Sequence, residues 1–255
     1  MALRDVVYAL YERRLRRQLA DKPVPRHIGV MADGNRRWAR ASGMEDVSHG
    51  HRRGADKIED LLRWSADAGV EVVTLWLLST ENLSRPPAEL GPLLQIISHL
   101  VDDLAGPHDR WRIKVVGALD LLPPEMAHVL KAAQERTAHR DGLAVNIAVG
   151  YGGRQEIADA VRSLLHEHAA AGTSIEELAE VLDVDHIAEH LYTRGQPDPD
   201  LVIRTSGEQR MSGFLLWQSA HSEFYFCDAY WPDFRRIDFL RALRAYAARQ
   251  RRFGG

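Results

Sequence analysis

Apolar residues along this chain follow two alternating rhythms. Short runs rich in Val, Ile and Leu or aromatic residues occupy positions 27–32, 71–79, 112–117, 143–149, 201–204 and 224–227. Each is too short for a stable helix and reads as a strand. Between them the apolar positions spread to intervals of three and four. That spacing predicts helices at 46–68, 87–104, 124–139, 154–170, 175–191 and 238–251, with a further helix start at Asn35. Strands alternating with helices predict parallel βαβ units, which collect ligands beyond the carboxyl ends of the strands. No long linker, repeat or low-complexity block interrupts the pattern, so the expected architecture is a single α/β domain.

Residues 1–23 stand apart. Leu3, Val7, Tyr11, Leu15 and Leu19 recur every four residues beside Arg4, Arg13, Arg14, Arg16 and Arg17, which predicts a basic amphipathic helix. Docking of this helix on its own domain or on a partner subunit is the preferred reading. Peripheral contact with an anionic surface, the inner face of the cell membrane, is the other.

Composition narrows the classes. The 33 basic and 36 acidic residues leave a formal charge of −3, which argues against a nucleic-acid partner. A lone cysteine, Cys227, cannot form an internal disulfide or a Cys-based zinc site and points to a reducing compartment, the cytoplasm. The longest strongly apolar run, 72–78, falls far short of the ~20 residues of a membrane-spanning helix, and no cleavable signal pattern opens the chain.

Polar chemistry concentrates just after three of the predicted strands. In Met31-Ala-Asp-Gly-Asn-Arg-Arg-Trp-Ala-Arg40, a strand runs out and a helix begins, offering free N–H groups and a positive dipole end to phosphate. Gly34 allows close backbone approach, and Arg36, Arg37 and Arg40 add cationic reach. Asp33 beside an anion site is repulsive unless a metal lies between, and Mg²⁺ takes one or two protein carboxylates plus phosphate oxygens. An Asp N-cap on an exposed Arg-rich helix is the bland alternative. In Ser79-Thr-Glu-Asn-Leu-Ser-Arg-Pro86, hydroxyls, a carboxylate, an amide and Arg85 follow the longest strand, where turn chemistry alone would also account for them. Arg204-Thr-Ser-Gly-Glu-Gln-Arg-Met-Ser-Gly213 gathers Arg204, Arg210 and three hydroxyls, a donor set suited to phosphate oxygens. Glu223, opening the last strand, needs an arginine or a metal as partner. Phosphate-loop and dinucleotide-binding glycine signatures are missing.

Taken together, these stretches resemble the cis-prenyltransferase family. The matching segments are 27–39, Gly50-His-Arg-Arg-Gly54, 79–86, 146–156, 200–212, 214–218, 223–226, 231–234 and 251–255, in order and spacing, so that 24–255 forms the family's domain. The resemblance implies a six-stranded parallel sheet surrounded by helices, with a hydrophobic product tunnel, Mg²⁺ dependence and a homodimer. It implies condensation of isopentenyl diphosphate with an allylic diphosphate to form a cis double bond. By matched position, Asp33 is the catalytic, metal-linked carboxylate and Glu223 a second metal-linked acid. Gly34, Asn35, Arg36, Arg37, Trp38, His51 and Arg85 surround the allylic diphosphate. Ser79, Thr80, Glu81 and the catalytic amide Asn82 lie by the reacting carbons, while Arg204, Arg210 and Ser212 hold isopentenyl diphosphate. The tail Arg252-Phe-Gly254 reaches the partner subunit's site.

Departures from the family pattern carry information. Leu83 replaces an aromatic residue of long-chain members, and Val47 replaces an arginine. Leu77 stands where long-chain members carry a small residue, two positions before Ser79 and on the same strand face by alternation. Each isoprene unit contributes about five carbons at ~0.8 kcal/mol per buried CH₂, so closing off one unit's room forfeits roughly 3–4 kcal/mol. A short product is expected, (2Z,6E)-farnesyl diphosphate from geranyl diphosphate. The alternatives are a long-chain synthase, a non-catalytic subunit of a heteromeric prenyltransferase and, without the resemblance, a phosphotransferase.

Overall fold

The computed structural model describes residues 3–107 and 110–249. The expected tail contact of 252–254, and the side chains of Leu3 and Arg4, lie outside what is described. Six strands form one parallel sheet in the order β3-β4-β2-β1-β5-β6. They are β1 (His27–Met31), β2 (Val72–Ser79), β3 (Trp111–Val116), β4 (Leu143–Tyr151), β5 (Leu201–Arg204) and β6 (Glu223–Phe226). Each predicted strand is present, with ends moved by one or two residues. β1 and β4 are buried at every position, as continuous apolar strands covered on both faces must be.

Helices α1 (Leu3–Leu19), α2 (Asn35–Ala41), α3 (Ser48–Ala68), α4 (Pro87–Leu104), α5 (Pro124–Thr137), α6 (Gly153–Ala170), α7 (Ile175–Val181), α8 (Val184–Ala188) and α9 (Arg236–Ala248) surround it. Proline at the first position starts α4 and α5, where its missing N–H costs nothing. The single helix expected over 175–191 is broken. The Asp183 carboxylate accepts the backbone N–H groups of Asp185 and His186, starting α8 anew, so the capping chemistry of Asp outweighs the apolar spacing. The main apolar core lies where α3, α4, α5 and α9 cover the sheet, with Leu61, Val101, Leu130 and Phe239 fully buried. A smaller cluster of Met31, Tyr151, Val202, Phe214 and Leu215 forms a second apolar group.

α1 docks on α9. Leu15 is fully buried, Tyr8, Tyr11 and Leu19 pack against the core, and the Arg235 and Arg241 guanidiniums lie 4.9 and 5.1 Å from the Tyr8 and Tyr11 rings. Val7, predicted inward, is 58% exposed. A strict four-residue repeat drifts around a helix of 3.6 residues per turn, so Val7 stands about 80° from Leu15 while Tyr8 aligns with it. Among the described residues no helix is long and apolar enough to cross a membrane.

At the start of β1, His27 is buried, and the Asp200 carboxylate, which accepts its backbone N–H at 3.2 Å, only partly offsets the effect of burial on the ring. Its Nδ1 lies 2.7 Å from the Pro197 carbonyl and its Nε2 2.7 Å from the Thr74 hydroxyl, which also accepts the Asn146 amide at 2.9 Å. Burial pushes the ring's pKa down from 6.5 to about 4. The unfolded chain therefore binds more protons between those values, and stability falls as pH drops through that window. Urea unfolding should show a loss of about 2–3 kcal/mol between pH 7 and pH 4.5 from this residue. A His27→Gln variant with an undiminished acid slope would remove His27 as its source.

Candidate active site

Strand order reverses direction at β1, whose neighbours β2 and β5 are followed by chain on either side, and a cavity opens there. It holds about 680 Å³ beyond the carboxyl ends of β1, β2 and β5, the position expected for a ligand in an open α/β sheet. Arg36, Arg37, Arg40, Arg85, Arg204 and Arg210 line it, against the carboxylates of Asp33, Glu81 and Glu208. Such an excess of guanidinium suits a polyanion.

Asp33 occupies the centre. β1 stops at Met31, and the turn is fastened to β5 by Thr205, whose hydroxyl accepts the Asp33 N–H at 3.0 Å and donates to the Asp33 carbonyl at 2.7 Å. Oδ1 accepts the Gly34 N–H at 2.6 Å, and Oδ2 accepts Arg204 at 2.9 Å and Arg37 at 3.4 Å. Burial raises this carboxyl's pKa, but the Arg204 hydrogen bond and charge, with Ser206 and Arg37, hold it below the ordinary carboxylate range. Gly34 sits at φ 104°, and a Cβ there would come within 2.7 Å of the Tyr230 ring, so both conformation and space require glycine.

Arg204 ends β5 with only 4% of its surface exposed. One guanidinium nitrogen reaches Asp33, and the other donates to the Ser212 hydroxyl at 3.1 Å and to the Arg210 carbonyl. Arg37 donates to Ser206 at 2.6 Å and to Glu208 at 2.9 Å. Across the cavity, Glu89 accepts Arg36 at 3.2 Å and pairs with Arg85 at 3.1 Å. His51 faces these groups with a buried, unpartnered Nε2. Burial, then the neighbouring Arg85 charge, lowers its pKa to about 4, so it is neutral at neutral pH. The Asn82 N–H donates to the Ser79 hydroxyl at 3.2 Å.

Most of the predicted site residues thus converge. Asp33, Gly34, Asn35, Arg36, Arg37, His51, Leu77, Ser79, Glu81, Asn82, Arg85, Arg204, Arg210 and Ser212 all line the cavity. Trp38 and Thr80 are half-buried beside it, Thr80 against the backbone of Gly152. Glu223 is a correction. It opens β6 opposite Leu201, at the amino end of the strand pair whose carboxyl end carries Arg204, and it pairs with Arg249. Three residues of strand, about 10 Å, separate those ends, so this chain does not bring Glu223 to Asp33. No group of three metal-ligating side chains exists among the described residues.

Strand alternation also needs correction at Leu77. The β2–β4 register shifts between Trp76 and Leu78 and again before Ser79. Leu77 and Leu78 both turn toward the main core, while Trp76 stacks on Phe214 at 5.1 Å. Leu77 reaches the cavity through an irregular strand end, not through simple alternation. It also borders a small apolar cavity of about 40 Å³ with Ile58, Leu93, Ile97, Leu100 and Trp231.

Residues not singled out from sequence complete the site. Glu89 and Glu208 are the counter-ions of four arginines, and Glu89 is legible afterwards as Arg85 plus one helical turn. Gly50 and Gly54 present a bare face of α3 on which Asn35 rests. A Cβ on Gly50 would lie 2.1 Å from the Asn35 carbonyl, and one on Gly54 2.2 Å from its side-chain oxygen.

Comparison with known proteins gives this geometry its context. Residues 31–254 match the prenyltransferase family model of undecaprenyl diphosphate synthase. The chain belongs to this family of prenyltransferases. It is 66% identical over 252 residues to the (2Z,6E)-farnesyl diphosphate synthase of Thermobifida fusca, covering 99% of this chain and 98% of that one. Identity is 57% over 255 residues to the enzyme of the same name from Mycolicibacterium smegmatis, covering 99% and 97%. Among solved structures, lavandulyl diphosphate synthase from Lavandula x intermedia, in complex with dimethylallyl diphosphate, superposes with a TM-score of 0.83 at 31% identity, covering 91% of this chain and 99% of that one. Prenyl diphosphate synthases generally need a divalent metal, and their substrates are prenyl diphosphates, consistent with the arginine-lined cavity of this prenyltransferase.

Because the Asn35 carbonyl is backbone, a methyl group on Gly50 must displace the first turn of α2. Gly50→Ala should weaken inorganic diphosphate binding by at least tenfold in calorimetry. Full affinity in the variant would show that α2 tolerates the shift.

Proposed function

We propose that the protein condenses isopentenyl diphosphate with geranyl diphosphate to give (2Z,6E)-farnesyl diphosphate. The observation that carries this reading is one cavity with two arginine clusters flanking Asp33, whose apolar extension is nearly closed beside Leu77. Arg36, Arg37, His51 and Arg85, with the Gly34–Asn35 backbone, take the allylic diphosphate. Arg204, Arg210 and Ser212 take isopentenyl diphosphate. Two diphosphates repel strongly, and fixed guanidiniums in a partly dry cavity offset that repulsion without reorganising during reaction. As the allylic C–O bond breaks, charge builds on the departing diphosphate, which Arg36 and Arg85 can stabilise. The new carbon–carbon bond leaves a carbocation that loses a proton. An amide is a poor base, so Asn82 orients substrate and the departing diphosphate accepts the proton.

The donor set at Asp33 suits Mg²⁺, which takes one or two protein carboxylates and completes its shell with water and phosphate. Asp33 is half-exposed to the cavity, its carboxylate is held charged, and phosphate oxygens would approach from the arginines beside it. When bound there, Mg²⁺ would supply charge neutralisation on the diphosphate. Glu223 has no place in this set. Activity should disappear with excess chelator and return with Mg²⁺, and Asp33→Asn should lower kcat at least a hundredfold; metal-independent turnover would overturn the assignment.

Product length follows from the floor. A six-carbon ring fits an apolar cavity of about 150 Å³, and the pocket of about 40 Å³ beside Leu77 is smaller than that, which supports a short product. Chromatography with labelled isopentenyl diphosphate should show a C15 product and Leu77→Ala a longer one. Predominant C50 or C55 chains from the wild-type protein would reject the short-chain reading. Turnover by the purified chain alone separates this reading from that of a non-catalytic subunit.

Two finer proposals concern partners. Homodimer formation is supported by the exposed edge strand β6, where Phe224 and Phe226 stack at 6.4 Å and Phe226 is exposed. Peripheral contact with an anionic membrane is supported by the outer face of α1, where Val7 and Leu10 are exposed and Arg13, Arg14 and Arg17 flank Leu10. The Tyr8–Leu15–Leu19 face is already occupied by α9, so any such contact is chiefly electrostatic.

A further inference from the structure

Glu156 is a buried carboxylate with no part in the chemistry above. It is 1% exposed, at the start of α6, and the charge acting on it is that of Lys114. Three donors hold it: the Tyr151 hydroxyl at 2.5 Å, the Tyr192 N–H at 2.9 Å and the Gln218 amide at 3.0 Å. Burying a carboxylate this way is costly compared with apolar packing, and burial raises its pKa despite those bonds.

The reason for its presence lies in what the Tyr151 hydroxyl oxygen accepts while it donates to Glu156. Among the described residues only Ser206, Ser212 and Leu215 are non-glycine residues at left-handed φ, with values of 80°, 49° and 47°. All three lie in the segment 205–215 that carries Arg210 and Ser212. Such conformations persist only where the surroundings enforce them, and each here has its own fastening. Ser206 accepts from Arg37, and its N–H donates to the Ala229 carbonyl at 2.8 Å. Ser212 accepts from Arg204. Leu215, the bulkiest and the one without a polar side chain, donates its N–H to the Tyr151 hydroxyl at 3.1 Å. By taking the hydroxyl proton, Glu156 fixes the orientation of the Tyr151 O–H away from Leu215, so that an oxygen lone pair faces the Leu215 N–H. The Tyr151 ring is in turn fixed edge-on to Phe214 and Trp76, at 6.0 and 6.3 Å.

We propose that Tyr151 and Glu156 form a positioning pair for the isopentenyl diphosphate pocket, locking the left-handed turn at Leu215 so that Ser212 and the Arg210 carbonyl meet Arg204. This rests on the assignment of Arg204, Arg210 and Ser212 to isopentenyl diphosphate. The pair does not touch substrate. Its effect falls chiefly on one of the two diphosphates: the 79–86 segment meets Tyr151 through the backbone, the Thr80 N–H donating to the Tyr151 carbonyl at 3.1 Å, a bond that loss of the hydroxyl leaves intact, and Arg37 is held by Ser206 and Glu208, not by the turn at Leu215.

Steady-state kinetics with each substrate varied in turn provides the test. Tyr151→Phe keeps the ring packing and removes one hydroxyl. It should raise KM for isopentenyl diphosphate about three- to tenfold, the span of one hydrogen bond, with the allylic KM and kcat within twofold. Glu156→Gln should move the same constant in the same direction, and the double variant should be no worse than the poorer single one, because both act through one bond. Equal increases in both KM values, an unchanged isopentenyl KM, or fully additive effects would overturn the proposal. Arg210→Ala serves as the control on the underlying assignment: if it raises the allylic KM instead, the pocket assignment itself has failed, whereas a selective isopentenyl effect of Arg210→Ala without one of Tyr151→Phe rejects only the positioning role.

Discussion

The pairing of Arg204 with Asp33 is the interaction on which the site depends. A guanidinium almost wholly removed from water at the end of β5 needs a counter-charge, and a carboxylate at the end of β1 supplies it at 2.9 Å. The two strands are neighbours with Met31 opposite Arg204, so the sheet ladder itself sets their separation. From that pair the remaining contacts extend outward. Arg204 collects Ser212 and the Arg210 carbonyl, Asp33 collects Arg37, and Arg37 collects Ser206 and Glu208. One ion pair, buried on its arginine side, thereby orders two clusters of polar groups on either side of a carboxylate.

The same carboxyl end of the sheet must also be apolar below. Leu77 joins the two regions, because an irregular end to β2 lets it border both the arginine-lined cavity and the small apolar pocket under it. The site is thus charged above and closely packed below, the combination that the proposed condensation of two diphosphates requires.

Much of this was legible in the chain. The four inner strands are short apolar runs buried along nearly their whole length, the edge strands β3 and β6 less so, and that pattern survives without any neighbour being known. The polar stretches that line the cavity follow strands β1, β2 and β5 directly, so parallel topology alone brings them to one edge of the sheet. Other features were not legible. Glu223 looks like a second acid of the site in sequence, yet its strand enters from the amino end and Arg249 neutralises it. Val7 continues a four-residue repeat that a real helix turns away from its docking face. Glu89 carries no signal until Arg36, far away in the chain, is seen beside it.

The sequence by itself determined which segments are strands and helices and where polar chemistry leaves the ends of strands, because both depend on residue spacing along a local backbone. Only the tertiary structure decided which charges neutralise one another, which face of α1 is buried, and why Ser206, Ser212 and Leu215 hold a left-handed backbone. Those outcomes depend on groups that sit tens or hundreds of residues apart in the chain and a few ångströms apart in space, as Tyr151 does from Leu215. Periodicity carries no information about such pairs. Close packing and the cost of burying an unpaired polar group select them.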